Sequence, residues 1–288
     1  MATGPAVRSV GGMSRIALVT GANQGLGLAL VRRLASTLNA EDVVYLTGRD
    51  PGRVAAARAG LLAEGLAVRS AVMDVGDDAS VTRCAREIAS RHGGLDIVVS
   101  NAGARISPDL PDAAQVDGFV NVNNRGTTRV LEAFAPLLRP DGRLVVVASG
   151  FGSLRRLPPA LHRLFDAPDL TLAQIDATMR GYADAVRDGS ATALGWPEWI
   201  NIASKVGQVA SLRVLARQLA GDPRRLRLFS ACPGLVDTAA SRPWFDDMSR
   251  AQTPDAAAVD VAWLASQATP DEAPQGELLQ FRRVLPWR

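Results

Sequence analysis

Residues 15–27 read Arg-Ile-Ala-Leu-Val-Thr-Gly-Ala-Asn-Gln-Gly-Leu-Gly. Arg15–Thr20 is a short β-branched apolar run, the signature of a strand buried on both faces. Behind the glycines an amphipathic stretch extends to about Leu38. The turn between them, Thr20-Gly21-Ala22-Asn23-Gln24-Gly25-Leu26-Gly27, bends sharply because glycine tolerates backbone conformations closed to other residues. A phosphate group can approach such a turn closely. The helix behind it offers unpaired N–H groups and the positive end of its dipole. Gly-rich turns are common, but one that follows a strand, opens a helix and begins a βαβ unit points to phosphate binding.

Outward from that turn, strand and helix alternate. Val43–Thr47, Val68–Met73, Leu95–Ser100, Arg143–Ala148 and Leu226–Ala231 read as strands, with another near Glu277–Phe281. Pro51–Glu64, Val81–His92, Ala113–Leu138, Ile200–Ala220 and Ala256–Ser266 read as helices. The implied fold class is α/β: a Rossmann-type doubly wound parallel sheet of about seven strands with helices on both faces. Residues 150–198 break the rhythm with Pro158, Pro159, Pro168 and Pro197, and carry a helical piece at Leu172–Arg187. They read as a helical insertion beside the ligand crevice, before the active-site helix. The expected organisation is a flexible N-terminal tail over 1–12 and one domain over 13–288. Met13 is a possible alternative start.

Bulk properties exclude several classes. Of 288 residues, 47% are hydrophobic and 21% charged, an ordinary globular balance. A net charge of +3, with no basic run reaching five, argues against nucleic acid as a partner. No apolar stretch reaches 18 residues, so no membrane span is expected. His92 and His162 are too separated for a histidine-based metal site, and no metal is expected. Cys84 and Cys232 read as free buried thiols of a reducing compartment, hence a cytoplasmic location.

The spacing Gly21-x-x-x-Gly25-x-Gly27 resembles that of the short-chain dehydrogenase/reductase family. Three further elements carry the resemblance across nearly the whole chain. Asp74-Val75 ends the third strand, where the family sets an acid against adenine. Asn101-Ala102-Gly103 follows the fourth, like the family's NAG element. Cys232-Pro233-Gly234 follows the sixth, like its turn beside the nicotinamide. The resemblance implies a dinucleotide held by Gly21, Asn23, Gln24, Gly25, Leu26, Gly27, Asp74, Val75, Asn101, Ala102, Gly103, Lys205, Pro233, Gly234, Val236 and Thr238. A carboxylate after the second strand would favour NAD; Thr47-Gly48-Arg49 stands there instead, so Arg49 favours NADP(H). Asp50 is positioned to neutralise Arg49. The Leu46–Asp50 stretch, the insertion with Gly195-Trp196, and the closing Val284-Leu285-Pro286-Trp287 resemble the monomeric carbonyl reductases. A monomer acting on a small-molecule substrate is therefore implied.

The family's catalytic set is Asn, Ser, Tyr and Lys. Asn123, Ser149 and Lys205 match three of these, but the tyrosine position holds Asn201. A phenol beside an ammonium can protonate the alkoxide left by hydride addition. An amide can only donate a hydrogen bond. Candidates to replace the phenol are Tyr45, Tyr182, His162, and water relayed by Asn123 and Lys205. Leu157, Phe165, Trp199 and the loop Ser241–Trp244 are candidates to shape the pocket. The implied activity is NADPH-dependent hydride transfer to a small carbonyl or imine compound with non-standard proton supply. The alternatives are a non-redox enzyme such as a cyclase or isomerase, and a catalytically silent NADP-binding protein.

Overall fold

A computed structural model describes residues 14–269 and 271–288. The tail read over 1–12, and Met13, lie outside the described residues. Each strand expected from the sequence is present: β1 Ile16–Val19, β2 Val43–Gly48, β3 Val68–Val72, β4 Leu95–Ser100, β5 Leu138–Val147, β6 Arg227–Cys232 and β7 Leu278–Gln280. An eighth, β8 Arg283–Leu285, follows. The sheet order is β3-β2-β1-β4-β5-β6-β7-β8. The first seven strands run parallel, and β8 returns antiparallel to β7 across Phe281 and Arg282. Both turn residues lie in the left-handed region, with φ of 49° and 60°.

The central strands bury both faces, and their side chains sort by parity. Ile16, Leu18, Val98, Leu144, Val146 and Leu228 point into one apolar layer. Ala17, Val19, Ile97, Val99, Val145, Phe229 and Ala231 point into the other. The first layer is covered by α3 Asp78–His92, α5 Gly126–Phe134 and α8 Ile200–Gln218. The second is covered by α1 Gly25–Thr37, α2 Pro51–Ala63 and α9 Pro254–Ser266. Tyr45 is buried against α3, with its hydroxyl 2.9 Å from His92 Nε2.

The long helix expected over Ala113–Leu138 is broken. It consists of α4 Asp112–Val120, a π turn at Asn121–Arg125, then α5 and a 3-10 turn, and Leu138 already belongs to β5. The apolar period of α4 and α5 is compatible with one continuous helix, so the widened turn leaves no mark in the pattern. Such π turns are frequent at functional sites, because the extra residue redirects a side chain.

In the insertion, three 3-10 turns lead to α6 Arg163–Asp166 and α7 Leu172–Asp188. A reciprocal Thr171/Gln174 capping box starts α7, and Gly189, with φ of 80°, follows it. Asp176 of α7 is only 4% exposed. It accepts from Thr128 Oγ1 at 2.8 Å and from Arg125 Nη1 at 2.8 Å, tying the insertion to α5 and the π turn. We expect Asp176→Ala to cost about 2–3 kcal/mol, since a buried carboxylate with a charged donor is lost. Urea unfolding measures that loss, and faster amide exchange confined to α7 would mark the insertion as the part released.

Candidate functional site

The strand order reverses between β1 and β4, and their carboxyl ends open a crevice at that point. Thr20, fully buried, accepts from the backbone N–H groups of Asn101 and Ala102, both at 2.9 Å. Asn101 Nδ2 donates back to the Thr20 and Gly21 carbonyl oxygens at 2.9 and 3.2 Å. The Gly-rich turn is thereby clamped to the end of β4. A Cβ at Gly21, where φ is +59°, would lie 2.7 Å from Ala102 Cα. One at Gly27 would run into the Gly21 carbonyl and the Asn101 side chain. The first turn of α1, Gly25-Leu26-Gly27, follows Gln24, whose side chain caps no N–H group. Its donors and its dipole therefore face the crevice.

The other expected binding residues border the same crevice. Asn23 Oδ1 would lie 2.8 Å from a Cβ at Gly48, so its side chain covers the end of β2 where Arg49 follows. Arg49 is exposed, and among the described residues it forms no ion pair. Asp50 does not neutralise it: its Oδ1 caps α2 by accepting from Arg53 N at 2.9 Å. Asp74 Oδ1 accepts from Gly76 N at 2.8 Å, with Val75 buried beside it. On the far side, Thr238 Cγ2 would stand 3.7 Å from a Cβ at Gly25. Pro233 O accepts from Gln252 Nε2 at 2.8 Å, and Val236 is bridged to Gln252. Gly103 neighbours Asn123 Oδ1, which accepts from Ala104 N at 2.8 Å.

Ser149 lies two residues past β5 and accepts from Phe151 N at 3.3 Å through its Oγ. The next turn, Gly150–Gly152, presses on α8: a Cβ at Gly152 would lie 3.0 Å from the Lys205 carbonyl oxygen. Burial pushes the Cys232 thiol up from its ordinary value, and the nearby charge of Lys205 opposes that shift. Asn201 and Lys205 lie one helical turn apart on α8 and share a face. Asn201 is half-buried, and no hydrogen bond of its side chain occurs among the described residues. Lys205 donates from Nζ to Gln208 Oε1 at 2.7 Å. Burial pushes the Lys205 ammonium down from the ordinary lysine value to about 8, against a smaller opposing effect of Cys232. It is the sole lysine of the chain, every other Lys/Arg position being arginine. Only lysine of the two can lose its proton near neutrality.

The three side chains named as substitutes for the missing phenol are engaged elsewhere. Tyr45 is engaged with His92. Tyr182 is buried under Trp196, ring centroids 4.6 Å apart, and its burial raises its proton affinity. His162 Nε2 lies 2.9 Å from the Leu157 carbonyl oxygen. Leu157 and Phe165 are plain core residues, 3% and 1% exposed. Trp199 and Trp244 do border the site. Trp199 stacks edge-on with Phe151 at 5.0 Å and lies 5.7 Å from Trp244. Phe151 and Gln208 were not singled out from the sequence. The available signal was their spacing, two residues after Ser149 and three after Lys205. Among the described residues, no group of three or more His, Cys, Asp or Glu could hold a metal, and no helix is long and apolar enough to cross a membrane.

A strand reversal in a parallel sheet, a glycine turn clamped beside it, and a buried lysine on the helix packed against the loop after β5 are the features of a dinucleotide-binding oxidoreductase fold. The chain belongs to the short-chain dehydrogenase/reductase family: the family model described as short chain dehydrogenase matches residues 15–158. It is 32% identical over 279 residues to carbonyl reductase (NADPH) 1 of Macaca fascicularis, covering 95% of this chain and 98% of that protein. Salutaridine reductase from Papaver somniferum superposes with a TM-score of 0.76 at 25% identity, covering 92% of this chain and 99% of that one. A metagenomic short-chain oxidoreductase in complex with NADP superposes with a TM-score of 0.60 at 25% identity, covering 92% and 96%.

Lys205 makes a testable contribution to stability. Its folded-state proton affinity is lowered, so between pH 8 and about 10.5 the unfolded chain binds the extra proton and the folded one does not. Stability therefore gains from this group as pH rises through that window. Lys205→Met is expected to remove that gain, read as a flatter pH dependence of the urea midpoint than in the unmodified protein.

Proposed function

We propose that this protein is an NADPH-dependent reductase that transfers hydride to a small carbonyl or imine compound, with proton supply routed through Lys205 rather than a phenol. The observation that carries the reading is the lone lysine. It lies one turn from Asn201 on a helix packed against the loop that follows Ser149, beside the dinucleotide cradle read from the sequence. NADPH fits this cradle: glycine at 21 and 27 lets the turn pack tightly against Ala102 and Asn101, a Cβ at Gly25 would meet only Thr238 at 3.7 Å, and Arg49 is free to meet a 2′-phosphate. The carbonyl reductase relative bears NADPH in its name. The cofactor would rest on Gly21–Gly27, Asp74, Asn101–Gly103, Lys205 and Pro233–Thr238, and would supply the hydride.

The side chains would then divide the work. Ser149 Oγ and the Asn201 amide donate hydrogen bonds to the acceptor atom and stabilise the negative charge that grows on it. Asn201 gives up no proton. Lys205, near 8, can give one at neutral pH through a water beside Asn123. An iminium acceptor needs no such proton, because hydride addition leaves a neutral amine. Phe151, Trp199 and Trp244 offer aromatic faces suited to a flat apolar or cationic substrate. The same reading takes the protein as a cytoplasmic monomer. Asp176 latches α7 over α4 and α5, and Cys84 and Cys232 are free and buried.

Fluorescence titration with NADPH and NADH tests the cofactor assignment. NADPH is expected to bind more tightly, and Arg49→Ala to weaken NADPH alone by roughly 10-fold or more, as for a charge-assisted hydrogen bond. Absence of NADPH binding would sink the proposal. NADPH oxidation with quinones, α-dicarbonyls and cyclic imines tests the chemistry. Asn201→Tyr is expected to raise ketone reduction by ~10²-fold or more, the usual scale of a general acid. Its effect on cyclic imines should be small.

A further inference from the structure

Gln208 is 2% exposed on a stretch of α8 whose neighbours Val206, Gly207 and Val209 are packed apolar or small residues. A leucine would fill such a position without penalty, whereas a buried amide costs free energy unless both its ends are bonded. Both ends are bonded. Oε1 accepts from Lys205 Nζ at 2.7 Å, and Nε2 donates to Thr127 Oγ1 at 2.9 Å. Thr127 in turn donates to the Asn123 carbonyl oxygen at 2.6 Å.

The chemistry of the ends fixes the direction of this chain. An ammonium only donates, so the amide must present its oxygen to Lys205 and its nitrogen to Thr127. The Thr127 hydroxyl, having accepted, has its proton left for the carbonyl of the π turn. One proton of Lys205 is thus committed inward, and two remain for the crevice.

We propose that Gln208 is a positioning residue, whose amide fixes the Lys205 ammonium and ties it to the π turn that carries Asn123. The proposal deepens the reductase reading, on which it rests for the identity of the ligand that Lys205 meets. The acceptor at Gln208 favours the charged lysine against the burial that disfavours it. The groups set around Lys205 are Gln208 at its ammonium, Cys232 from β6, Gly152 of the loop after β5 at its backbone carbonyl, and Thr127 beyond Gln208. Cys232 is the titratable group among them. In a site without a phenol, a lysine held still and kept protonated to near pH 8 is the part whose loss is felt most.

Because Lys205 is the sole lysine, protein labelled with [13Cε]lysine gives one resonance to follow against pH. The variants are Gln208→Met, which keeps length and removes the acceptor, and Gln208→Glu, which keeps the acceptor and adds charge. Gln208→Met is expected to move the Lys205 titration down by about one pH unit, a tenfold change, and Gln208→Glu to move it up by at least as much. NADPH affinity at pH 8 should fall about fivefold in Gln208→Met, as the protonated fraction of Lys205 drops from about one half to about one tenth, and hold in Gln208→Glu. Identical Lys205 titrations in all three proteins would overturn the proposal, whatever the variants do to stability. Should Gln208→Met not fold, the upward shift in Gln208→Glu decides alone. The resonance is read without cofactor, so failure of NADPH to bind would strike the reductase reading and leave this test standing.

Discussion

Thr20 sits at the end of β1 with its hydroxyl oxygen holding two N–H groups of β4. That short clamp joins the two strands between which the order of the sheet reverses. Without it the Gly-rich turn would have a hinge but no seat. With it, the helix dipole of α1, the close-packed glycines at 21 and 27, and the Asn101–Gly103 segment are brought to one place. Asn101 completes the clamp by returning its amide to the turn. Every later feature of the site is measured from this corner. Gly103 leads to Asn123, the π turn leads to Thr127, and Gln208 carries the line to Lys205.

Much of this was legible in the sequence because it is local. The strand–turn–helix unit at 15–38, the breaks after Asp74, Asn101 and Cys232, and the Asn201/Lys205 spacing all follow from residue types at fixed distances. The eighth strand was not legible: three residues, Arg283–Leu285, carry no periodicity, and their pairing is decided by β7. The π turn was hidden because the buried positions Val116, Val120, Asn123, Thr127, Leu131 and Phe134 keep three-and-four spacing across it. Gln208 was hidden for another reason. A glutamine on a helix reads as a surface residue, and only packing against α5 makes it a buried one. Arg49 and Asp50 show the reverse case, in which adjacency in sequence suggested an ion pair and a helix cap took the carboxylate instead.

Replacing tyrosine by asparagine changes the electrostatics more than the shape. The phenol position still offers a donor, and Ser149 and Lys205 keep their places. What is lost is a group that can change its charge. Among the groups that remain beside the crevice, Lys205 and Cys232 can still do so, and burial moves the lysine toward neutrality and the thiol away from it. In the proposed reaction, acid–base work is thereby concentrated in one side chain, and the apolar surroundings of that side chain become part of the chemistry.

Strand β8 also bears on the life of the chain before the site exists. It is short and half-exposed, it carries Arg283, and its antiparallel pairing covers the outer rim of β7. Uncovered, Leu278 and Leu279 would present unpaired backbone beside apolar side chains, the kind of edge on which a second chain can extend the sheet. The hairpin through Phe281 and Arg282 works as a selvedge: it keeps a sheet built for the crevice from being continued by its neighbours.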